Sequence, residues 1–371
     1  MNKKFILGAI VLLVLIVLVG VGVTKGNTSN EGSIPIGGIM ILSGEGATWG
    51  EASRNGMELA IKEVNARGGV NGKQLRGIYE DDAGDSQKSI SAFKKLTTAD
   101  GAKFIVGLNW SNTGLAVAPV AAAAKVVVIS PSLGAPAFNE SSEYLFNTWQ
   151  HDEILSADLA DIVYERGHRK VALFGANDVW VTLQTAAFKK RFEQLGGTVA
   201  HIYEPILGTS DERTEIQKVL IDKSVDAVVM TTDGTGLTVV TARQLKEFGS
   251  TLPLFNITVD KGIITQCGDS CNGMIFPTSL TPTSDFEAKY QAAYNRDVEI
   301  GADSAYDAIM MIAEAMEETG SEDPEVVKDY LAKIEVYTGA SGTLTSDGKR
   351  AFTKPYVLKQ VIDGLPITIK N

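Results

Sequence analysis

The run Val126-Val127-Val128-Ile129 decides the fold class of this chain. A strand made of four consecutive branched aliphatic residues has no polar position on either of its faces. Such a strand is buried on both sides, which is typical of parallel sheets covered by helices. The amphipathic stretch Asn112–Ala124 precedes the run, and Ser130-Pro131 ends its apolar pattern. The segment therefore predicts a helix followed by a central strand of an α/β layer.

The same alternation of apolar runs and amphipathic stretches extends in both directions from this strand. The predicted strands are Ile34–Leu42, Leu75–Asp82, Lys103–Leu108, Val126–Pro131, Val171–Ala176, Val199–Pro205, Asp226–Thr232 and Leu252–Thr258. The predicted helices between them are Glu51–Ala66, Ser86–Ala99, Asn112–Ala124, Ile154–Arg166, Thr182–Leu195, Thr214–Asp222 and Gly236–Phe248. This order indicates doubly wound α/β layers.

The alternation falls into two sets, which predicts two similar lobes. The first set ends near Trp149 and the second begins near His151. After them come the predicted helices Asp285–Asn295, Ser304–Glu318 and Pro324–Glu335, and the strand-like pieces Ser341–Thr345 and Tyr356–Ile362. The predicted lobe 1 consists of Ile34–Trp149 and Thr281–Tyr337, and the predicted lobe 2 of Gln150–Leu280 and Thr338–Asn371.

The first residues of the chain predict export. Lys3 and Lys4 precede Phe5–Val23, an uncharged run rich in Leu, Val and Ile. A basic start followed by an apolar segment is typical of a secretion signal, and this segment also has about the length needed to span a bilayer. Residues 1–23 are therefore predicted to be a signal sequence or a membrane anchor. The polar stretch Thr24–Ser33 is predicted to be a linker, and the folded part is predicted to lie outside the cytoplasm.

Composition narrows the possible partners. The formal net charge is −11, and an acidic surface repels nucleic acid and anionic lipid.

Only two cysteines are present, Cys267 and Cys271, in the loop Cys-Gly-Asp-Ser-Cys. In an oxidising compartment this pair favours a disulfide, and the alternative is two unpaired thiols. A metal site is disfavoured because further ligands are missing nearby in the sequence.

Sequence motifs of enzymes are absent. The sequence contains no G-x-S-x-G, no H-E-x-x-H and no phosphate-binding P-loop. The loop Ser43–Gly50 has the spacing G-x-G-x-x-x-G, which is not that of a dinucleotide-binding loop. We therefore expect no catalytic residues, no bound metal, no cofactor and no enzymatic activity.

Two polar loops follow predicted strands and are candidates for ligand contacts. Ser111, Asn112 and Thr113 stand at a helix start, where hydroxyls and backbone N–H groups hold carboxylates. The same residues are also good helix caps, so both interpretations stay open. The loop from Ser130 to Gly134 has the same ambiguity.

The sequence resembles those of the leucine/isoleucine/valine-binding family of periplasmic proteins. The resemblance rests on Ser43-Gly44 through Trp49-Gly50, on Asn65 through Gly72, and on Glu80-Asp81-Asp82-Ala83. Val106-Gly107 before Ser111, Ile129-Ser130-Pro131 and Asp347-Gly348 continue it. It implies two α/β lobes of the type I periplasmic binding architecture, joined by three crossover strands, with the ligand held in the cleft between them.

The resemblance also implies ligand-binding roles for particular residues. It implies that Trp49 covers the ligand, that Ser111, beside Asn112, holds its carboxylate, and that Trp180 closes the cleft from the second lobe. The other implied contacts come from Ser132, Gly134, Asp233 and Thr258.

Three positions depart from the amino-acid binders of the family. Gly134 stands where they have threonine, Thr258 where they have an acid, and Asp233 where they have an aromatic residue. An ammonium partner has therefore moved to Asp233 or Asp260, or the ligand is not an α-amino acid. Asp233 is alternatively a cap of the following helix.

The family resemblance also implies a transport role. The expected function is capture of a small amino-acid-like, amide or carboxylate solute and its delivery to the membrane permease of an ABC transporter. The alternative is a ligand-sensing ectodomain that works with a separate receptor. No nucleic acid is expected as a partner, and the membrane is contacted through the N-terminal segment.

Overall fold

The first lobe is built on a parallel sheet. The computed structural model describes residues 32–44, 46–232, 236–279 and 282–370. The strands of this sheet are β1 (Ile34–Met40), β2 (Leu75–Asp81), β3 (Phe104–Gly107), β4 (Val127–Ser130) and β5 (Leu145–Asn147). They lie in the order β2-β1-β3-β4-β5, and Ile36 of β1 pairs with Gly77 on one side and Phe104 on the other.

Helices cover both faces of this sheet, because its side chains alternate between two apolar cores. The helices that alternate with its strands are α1 (Ala47–Ala66), α2 (Ser86–Thr98), α3 (Ser111–Ala124) and α4 (Pro136–Glu140). Val127 and Ile129 belong to one core, whereas Val128 belongs to the other. The prediction that this apolar run is buried on both faces is confirmed.

The second lobe repeats the arrangement with a larger sheet. Its helices are α5 (Asp152–Glu165), α6 (Val179–Gln194), α7 (Arg213–Ile221), α8 (Leu237–Glu247) and α9 (Lys261–Cys267). Its strands are β6 (Lys170–Phe174), β7 (Thr198–Tyr203), β8 (Ala227–Met230), β9 (Leu254–Asn256), β10 (Ile275–Thr278), β14 (Val357–Ile362) and β15 (Leu365–Ile369). The order is β15-β14-β10-β9-β8-β6-β7, with β14 and β15 antiparallel to their neighbours.

The segment between β10 and β14 returns to the first lobe. It contains α10 (Ser284–Tyr294), α11 (Ala302–Thr319), α12 (Pro324–Leu331), β11 (Val336–Gly339), β12 (Gly342–Ser346) and β13 (Phe352–Thr353). The last three strands form a small antiparallel sheet. Ala340, Leu344 and Phe352 are buried in the core of the first lobe. The sequence-based assignment of Thr338–Asn371 to lobe 2 therefore has to be corrected: the segment through β13 packs on lobe 1, because its apolar side chains complete that core.

The chain passes between the lobes three times: between β5 and α5, between β10 and α10, and between β13 and β14. The third crossover carries Lys354, whose Nζ lies 3.0 Å from Oδ2 of Asp303 in α11. Both side chains of this ion pair are fully buried. The two sheets thus form separate lobes with a charged pair buried where they join.

Every strand and helix predicted from the sequence is present, within a few residues at the ends. The missed elements are short: α4, α9, β5, β10, β11, β13 and β15. Cys267 and Cys271 form a disulfide, with their Cα atoms 5.6 Å apart, where α9 passes into a 3-10 turn. Among the helices in the described residues, none is long and apolar enough to cross a membrane. The predicted signal or anchor, Phe5–Val23, lies outside that part.

Candidate ligand-binding site

A cavity of about 210 Å³ lies between the two lobes. It opens where strands end: Ser132 follows β4 in the first lobe, and Asp178 follows β6 in the second. Carboxyl ends of parallel strands are where α/β proteins bind ligands. The lining residues are Trp49, Asn109, Trp110, Ser111, Asn112, Ser132, Trp149, Asp152, Leu155, Asp178, Trp180, Val181, Leu207, Gly208, Ile257, Thr258, Ser279 and Ile300.

The first-lobe wall contains a polar network centred on Asn109. The amide Nδ2 of Asn109 donates to Ser53 Oγ at 2.8 Å and to Ser132 Oγ at 3.1 Å. Ser132 Oγ in turn donates to the backbone carbonyl of Asn109 at 3.1 Å. All three residues are buried. The network fixes the orientation of Ser132, whose hydroxyl group already has partners before any ligand arrives.

The N-terminus of α3 presents an unpartnered hydroxyl to the cavity. The residue at the N-cap is Trp110, and its side chain makes no capping hydrogen bond. Ser111, the first helical residue, is only 3% exposed, and its Oγ has no hydrogen-bond partner among the described residues. An orphaned buried hydroxyl is costly, and a helix N-terminus attracts anions. Ser111 Oγ thus makes no capping hydrogen bond and keeps its donor unused at the positive end of the helix.

The neighbours of Ser111 have local partners. Asn112 Nδ2 donates to the carbonyl of Gly84 at 3.1 Å, and Thr113 Oγ donates to the carbonyl of Trp110 at 2.9 Å. The Trp110 ring lies directly against Gly84, where a Cβ atom would stand 2.8 Å from the indole. These contacts hold the loop before α3 in shape, so that Ser111 is left as the free donor.

A buried carboxylate, that of Asp152, lies at the back of the cavity. Its Oδ1 accepts from Trp149 Nε1 at 2.8 Å and its Oδ2 accepts from Trp180 Nε1 at 2.6 Å. Burial raises the pKa of Asp152 to about 6, although the two indole hydrogen bonds act in the opposite direction. The side chain thus connects the first crossover to the second lobe.

Gly134 makes room for this carboxylate. A Cβ atom at position 134 would overlap the carboxylate of Asp152, and the backbone carbonyl of Gly134 accepts from the Asp152 N–H at 3.3 Å. Gly134 is not among the residues that line the cavity. The structure therefore gives Gly134 a spacing role behind Asp152 in place of the direct ligand contact expected from the sequence.

The second-lobe wall carries one further acid. Asp178 caps α6, and its Oδ1 accepts from the backbone N–H of Trp180 at 2.8 Å and of Val181 at 3.4 Å. Asp260, considered above as an ammonium partner, instead caps α9 through Ile263 N and does not line this cavity. The predicted ligand residue Asp233 lies outside the described residues.

The structure brings together most of the residues predicted from the sequence. The predicted residues that line the cavity are Trp49, Ser111, Asn112, Ser132, Trp180 and Thr258. Sequence reasoning missed Asn109, Trp110, Trp149, Asp152 and Asp178. The position of Asp152 in the sequence could have drawn attention to it. It stands three residues after Trp149, at the boundary between the two predicted lobes.

The described part of the lining is rich in groups that bind a small molecule. Over the described residues it contains no Lys, Arg, His or Cys, and the same part of the chain holds no cluster of metal-binding side chains. What it offers is four indole rings, two carboxylates, hydroxyl groups and aliphatic side chains. Such a surface holds a small solute by shape, charge and a few directed hydrogen bonds.

Comparisons with known proteins agree with this geometry. The family model described as "Periplasmic binding protein" matches residues 33–364. The leucine-, isoleucine-, valine-, threonine- and alanine-binding protein of Pseudomonas aeruginosa is 28% identical over 83% of this chain and 84% of its own length. Leu/Ile/Val-binding protein homolog 3 of Brucella melitensis is 27% identical over 84% of this chain and 86% of its own.

Two solved structures share the fold. The substrate-binding protein LivJ of Streptococcus pneumoniae, in complex with isoleucine, has a TM-score of 0.82 and 23% identity, covering 91% of this chain and 100% of its own. A solute-binding protein from R. palustris, in complex with 4-hydroxybenzoate, has a TM-score of 0.82 and 22% identity, covering 91% and 96%. The chain belongs to the periplasmic binding protein family, whose members bind ligands and are not enzymes.

Proposed function

We propose that this chain captures a small carboxylate-bearing solute outside the cytoplasm and delivers it to the membrane permease of an ABC transporter. The observation that carries the proposal is the buried, unpartnered hydroxyl of Ser111 at the N-terminus of α3, facing a cavity between two lobes. A carboxylate in this position accepts from that hydroxyl and lies at the positive end of the helix dipole.

The names of similar proteins support a carboxylate ligand. Isoleucine and 4-hydroxybenzoate, bound by the two structural neighbours, differ in shape and in charge at one end, but both carry a carboxylate. The Pseudomonas aeruginosa relative is named for amino acids, which carry the same group. Ser111 therefore serves the part of the ligand that these solutes share, and the rest of the cavity selects among them.

Binding works through the two lobes. The first lobe supplies Ser111 and the fixed hydroxyl of Ser132, whereas the second lobe supplies Trp180 and Asp178. A solute that contacts both walls stabilises the closed arrangement of the lobes, which is the signal that a transporter reads. The function thus needs no chemical step.

The N-terminal segment gives the location. Family membership implies an extracytoplasmic site of action, and Phe5–Val23 has the charge pattern and length of a secretion signal or anchor. We propose that this segment directs export and, if it is retained, holds the binding lobes near the permease.

Ser111→Ala tests the carboxylate site. In a thermal-shift and calorimetric screen of amino acids, amides and small carboxylates, the variant should bind the wild-type ligand about 10- to 100-fold more weakly, corresponding to about 1–3 kcal/mol for an ionic hydrogen bond. Ser91→Ala, which removes a hydroxyl from α2 away from the cavity, should bind normally. Equal affinity in the Ser111→Ala variant would remove Ser111 from the site.

A second measurement separates transport from other roles. Mass spectrometry should recover the bound solute chemically unchanged, and disruption of the gene should abolish uptake of that solute by the cell. Normal uptake in the disrupted strain would contradict the transport proposal.

A further inference from the structure

All the tryptophans of the chain line one cavity. The sequence contains four, and Trp49, Trp110, Trp149 and Trp180 each line the space between the lobes. They come from four separate segments: the start of α1, the loop before α3, the first crossover and the start of α6. Indole faces attract positive charge more strongly than other aromatic rings, so this concentration favours a cation.

The charges of the lining point the same way. Its charged members are Asp152 and Asp178, and no described lining residue is basic. The partners of the Asp152 carboxylate are the indole N–H groups of Trp149 and Trp180, which carry no formal charge. Lys354 lies 5.1 Å from the Trp149 ring centroid but is already paired with Asp303. A buried carboxylate without a cation is unfavourable, and a positively charged ligand would neutralise it.

The hydrogen bonds of these acids indicate which kind of cation fits. A primary ammonium group presents three N–H donors and needs acceptors for them. Each oxygen of Asp152 already accepts one indole N–H and Asp178 Oδ1 accepts two backbone N–H groups, so the acceptor sites that remain are one on each Asp152 oxygen and those of Asp178 Oδ2. An ammonium whose hydrogens are replaced by alkyl groups has no such need. It interacts through its diffuse charge and its methyl surface, which suit ring faces and aliphatic neighbours such as Leu155 and Ile257.

We propose that the cavity takes a zwitterion of the betaine type, whose N-alkylated ammonium lies among the tryptophans beside Asp152 and whose carboxylate lies at Ser111. This inference rests on the proposed function and specifies its solute class. An aromatic carboxylate would stack on the indoles but leave Asp152 without a counter-charge. A primary α-amino acid would supply the charge, but its three N–H donors would go to the remaining acceptor sites of Asp152 and Asp178, and the indole faces would be left without a cation.

Matched ligands test the proposal directly. Calorimetry on the purified chain would compare glycine betaine, proline betaine and carnitine with leucine, with benzoate and with 3,3-dimethylbutanoate. The last compound is the carbon analogue of glycine betaine: it has the same shape and carboxylate, but a neutral carbon replaces the ammonium nitrogen. We expect at least one betaine to bind, and glycine betaine to bind about tenfold or more tightly than its carbon analogue.

Variants assign the selectivity to the named groups. Asp152→Asn should lower the ratio of betaine affinity to carbon-analogue affinity about tenfold or more, because the lost indole hydrogen bond affects both ligands and the lost charge affects only the betaine. Trp49→Leu keeps an apolar side chain but removes a ring, and should weaken betaine binding about fivefold with little effect on the analogue. Glu212→Gln is the control for loss of a buried carboxylate, because Glu212 bonds Thr241 away from the cavity. It should bind as the wild type does.

The outcomes separate the inference from the proposed function. If leucine or benzoate binds and the betaines do not, the inference is wrong and the transport proposal stands. If glycine betaine and its carbon analogue bind equally, the cationic selectivity is wrong. If no compound of either group binds, the carboxylate-binding proposal fails as well.

Discussion

One buried carboxylate lies beside the first crossover and another beside the third, but their electrostatic states are opposite. At the third crossover Lys354 pairs with Asp303, and neither side chain is exposed to solvent. At the first crossover Asp152 is also buried, yet its partners are two indole N–H groups. The Trp149 ring lies between these two regions, since it donates to Asp152 and lies 5.1 Å from Lys354 Nζ.

The difference distinguishes a charge that is neutralised within the protein, that of Asp303, from one that has no cationic partner there, that of Asp152. A buried pair is complete in the folded chain, and removing one member leaves the other uncompensated. The unpaired Asp152 faces the cavity, so only a solute can complete it. Removing the charge of Lys354 and removing that of Asp152 should therefore change the stability of the ligand-free protein in opposite directions near neutral pH.

The largest expected effect comes from breaking the complete pair. Lys354→Met should lower the free energy of unfolding by about 3–5 kcal/mol, because Asp303 is left buried and unpaired. Urea denaturation measures this. The double variant Lys354→Met/Asp303→Asn should regain part of the loss, since it removes the orphaned charge. A loss below about 1 kcal/mol in the single variant would contradict the contrast between the two regions.

The second prediction concerns pH. Folding raises the pKa of Asp152 from 3.8 to about 6, so the folded state binds this proton more tightly than the unfolded state. The associated stability is present below pH 3.8 and is lost as pH rises through about 6. Two pKa units correspond to about 3 kcal/mol. The ligand-free wild type should lose roughly that much more stability than Asp152→Asn between about pH 4 and pH 7.

Two other buried acids serve as internal references for this measurement. Burial raises the pKa of Asp307 to about 6 and that of Glu212 to about 7. Their contributions fall over a similar range but are common to both proteins, so they cancel in the difference. Parallel pH profiles of the two proteins would show that Asp152 does not titrate as its burial requires.

A smaller effect is expected when space for the carboxylate is removed. Gly134→Ala should destabilise the protein by about 2 kcal/mol, because the new methyl group overlaps the Asp152 carboxylate. In an Asp152→Ala background the same substitution should cost less than about 1 kcal/mol. Equal costs in the two backgrounds would assign the strain to the backbone at Gly134 and not to Asp152.

The smallest effect is expected from single indole donors. Trp180→Phe keeps an aromatic ring but removes the N–H that reaches Asp152 Oδ2, which should cost about 1.5 kcal/mol near neutral pH. It should also raise the pKa of Asp152 further. Trp149→Phe is the matched variant, because it removes the donor to Oδ1. If neither variant changes stability or the pH profile, the indole N–H groups do not stabilise the carboxylate.

The fold could be predicted because its signals are local. An apolar run such as Val126–Ile129 specifies its own burial, and helical periodicity specifies the flanking layers. Residues 338–353 were predicted in lobe 2 but pack on lobe 1, for the opposite reason. The strands of this segment are short, and only contacts with the core formed by α1 and α11 show where they pack.

The site could be predicted only where it follows strand ends. Ser111, Ser132 and Thr258 lie at or just after the carboxyl ends of predicted strands. Because these ends lie at one edge of a parallel sheet, the loops that follow them are brought together. Asp152 begins a helix just after a crossover, where an acid is also a good first-turn residue. The surroundings of its carboxylate depend on Trp149, Trp180 and Gly134, which become neighbours only in the folded chain. The spacing of these residues in the sequence does not predict that contact.

The confinement of every indole to the cleft has an optical consequence. Excitation at the red edge of the absorption spectrum selects tryptophan over the ten tyrosines of the chain. The emission then comes from the cleft alone, since Trp49, Trp110, Trp149 and Trp180 all line it. Solute entry displaces water from the cleft and changes the polarity around these rings. The unlabelled protein is therefore its own fluorescent reporter of cleft occupancy, without background signal from elsewhere in the molecule.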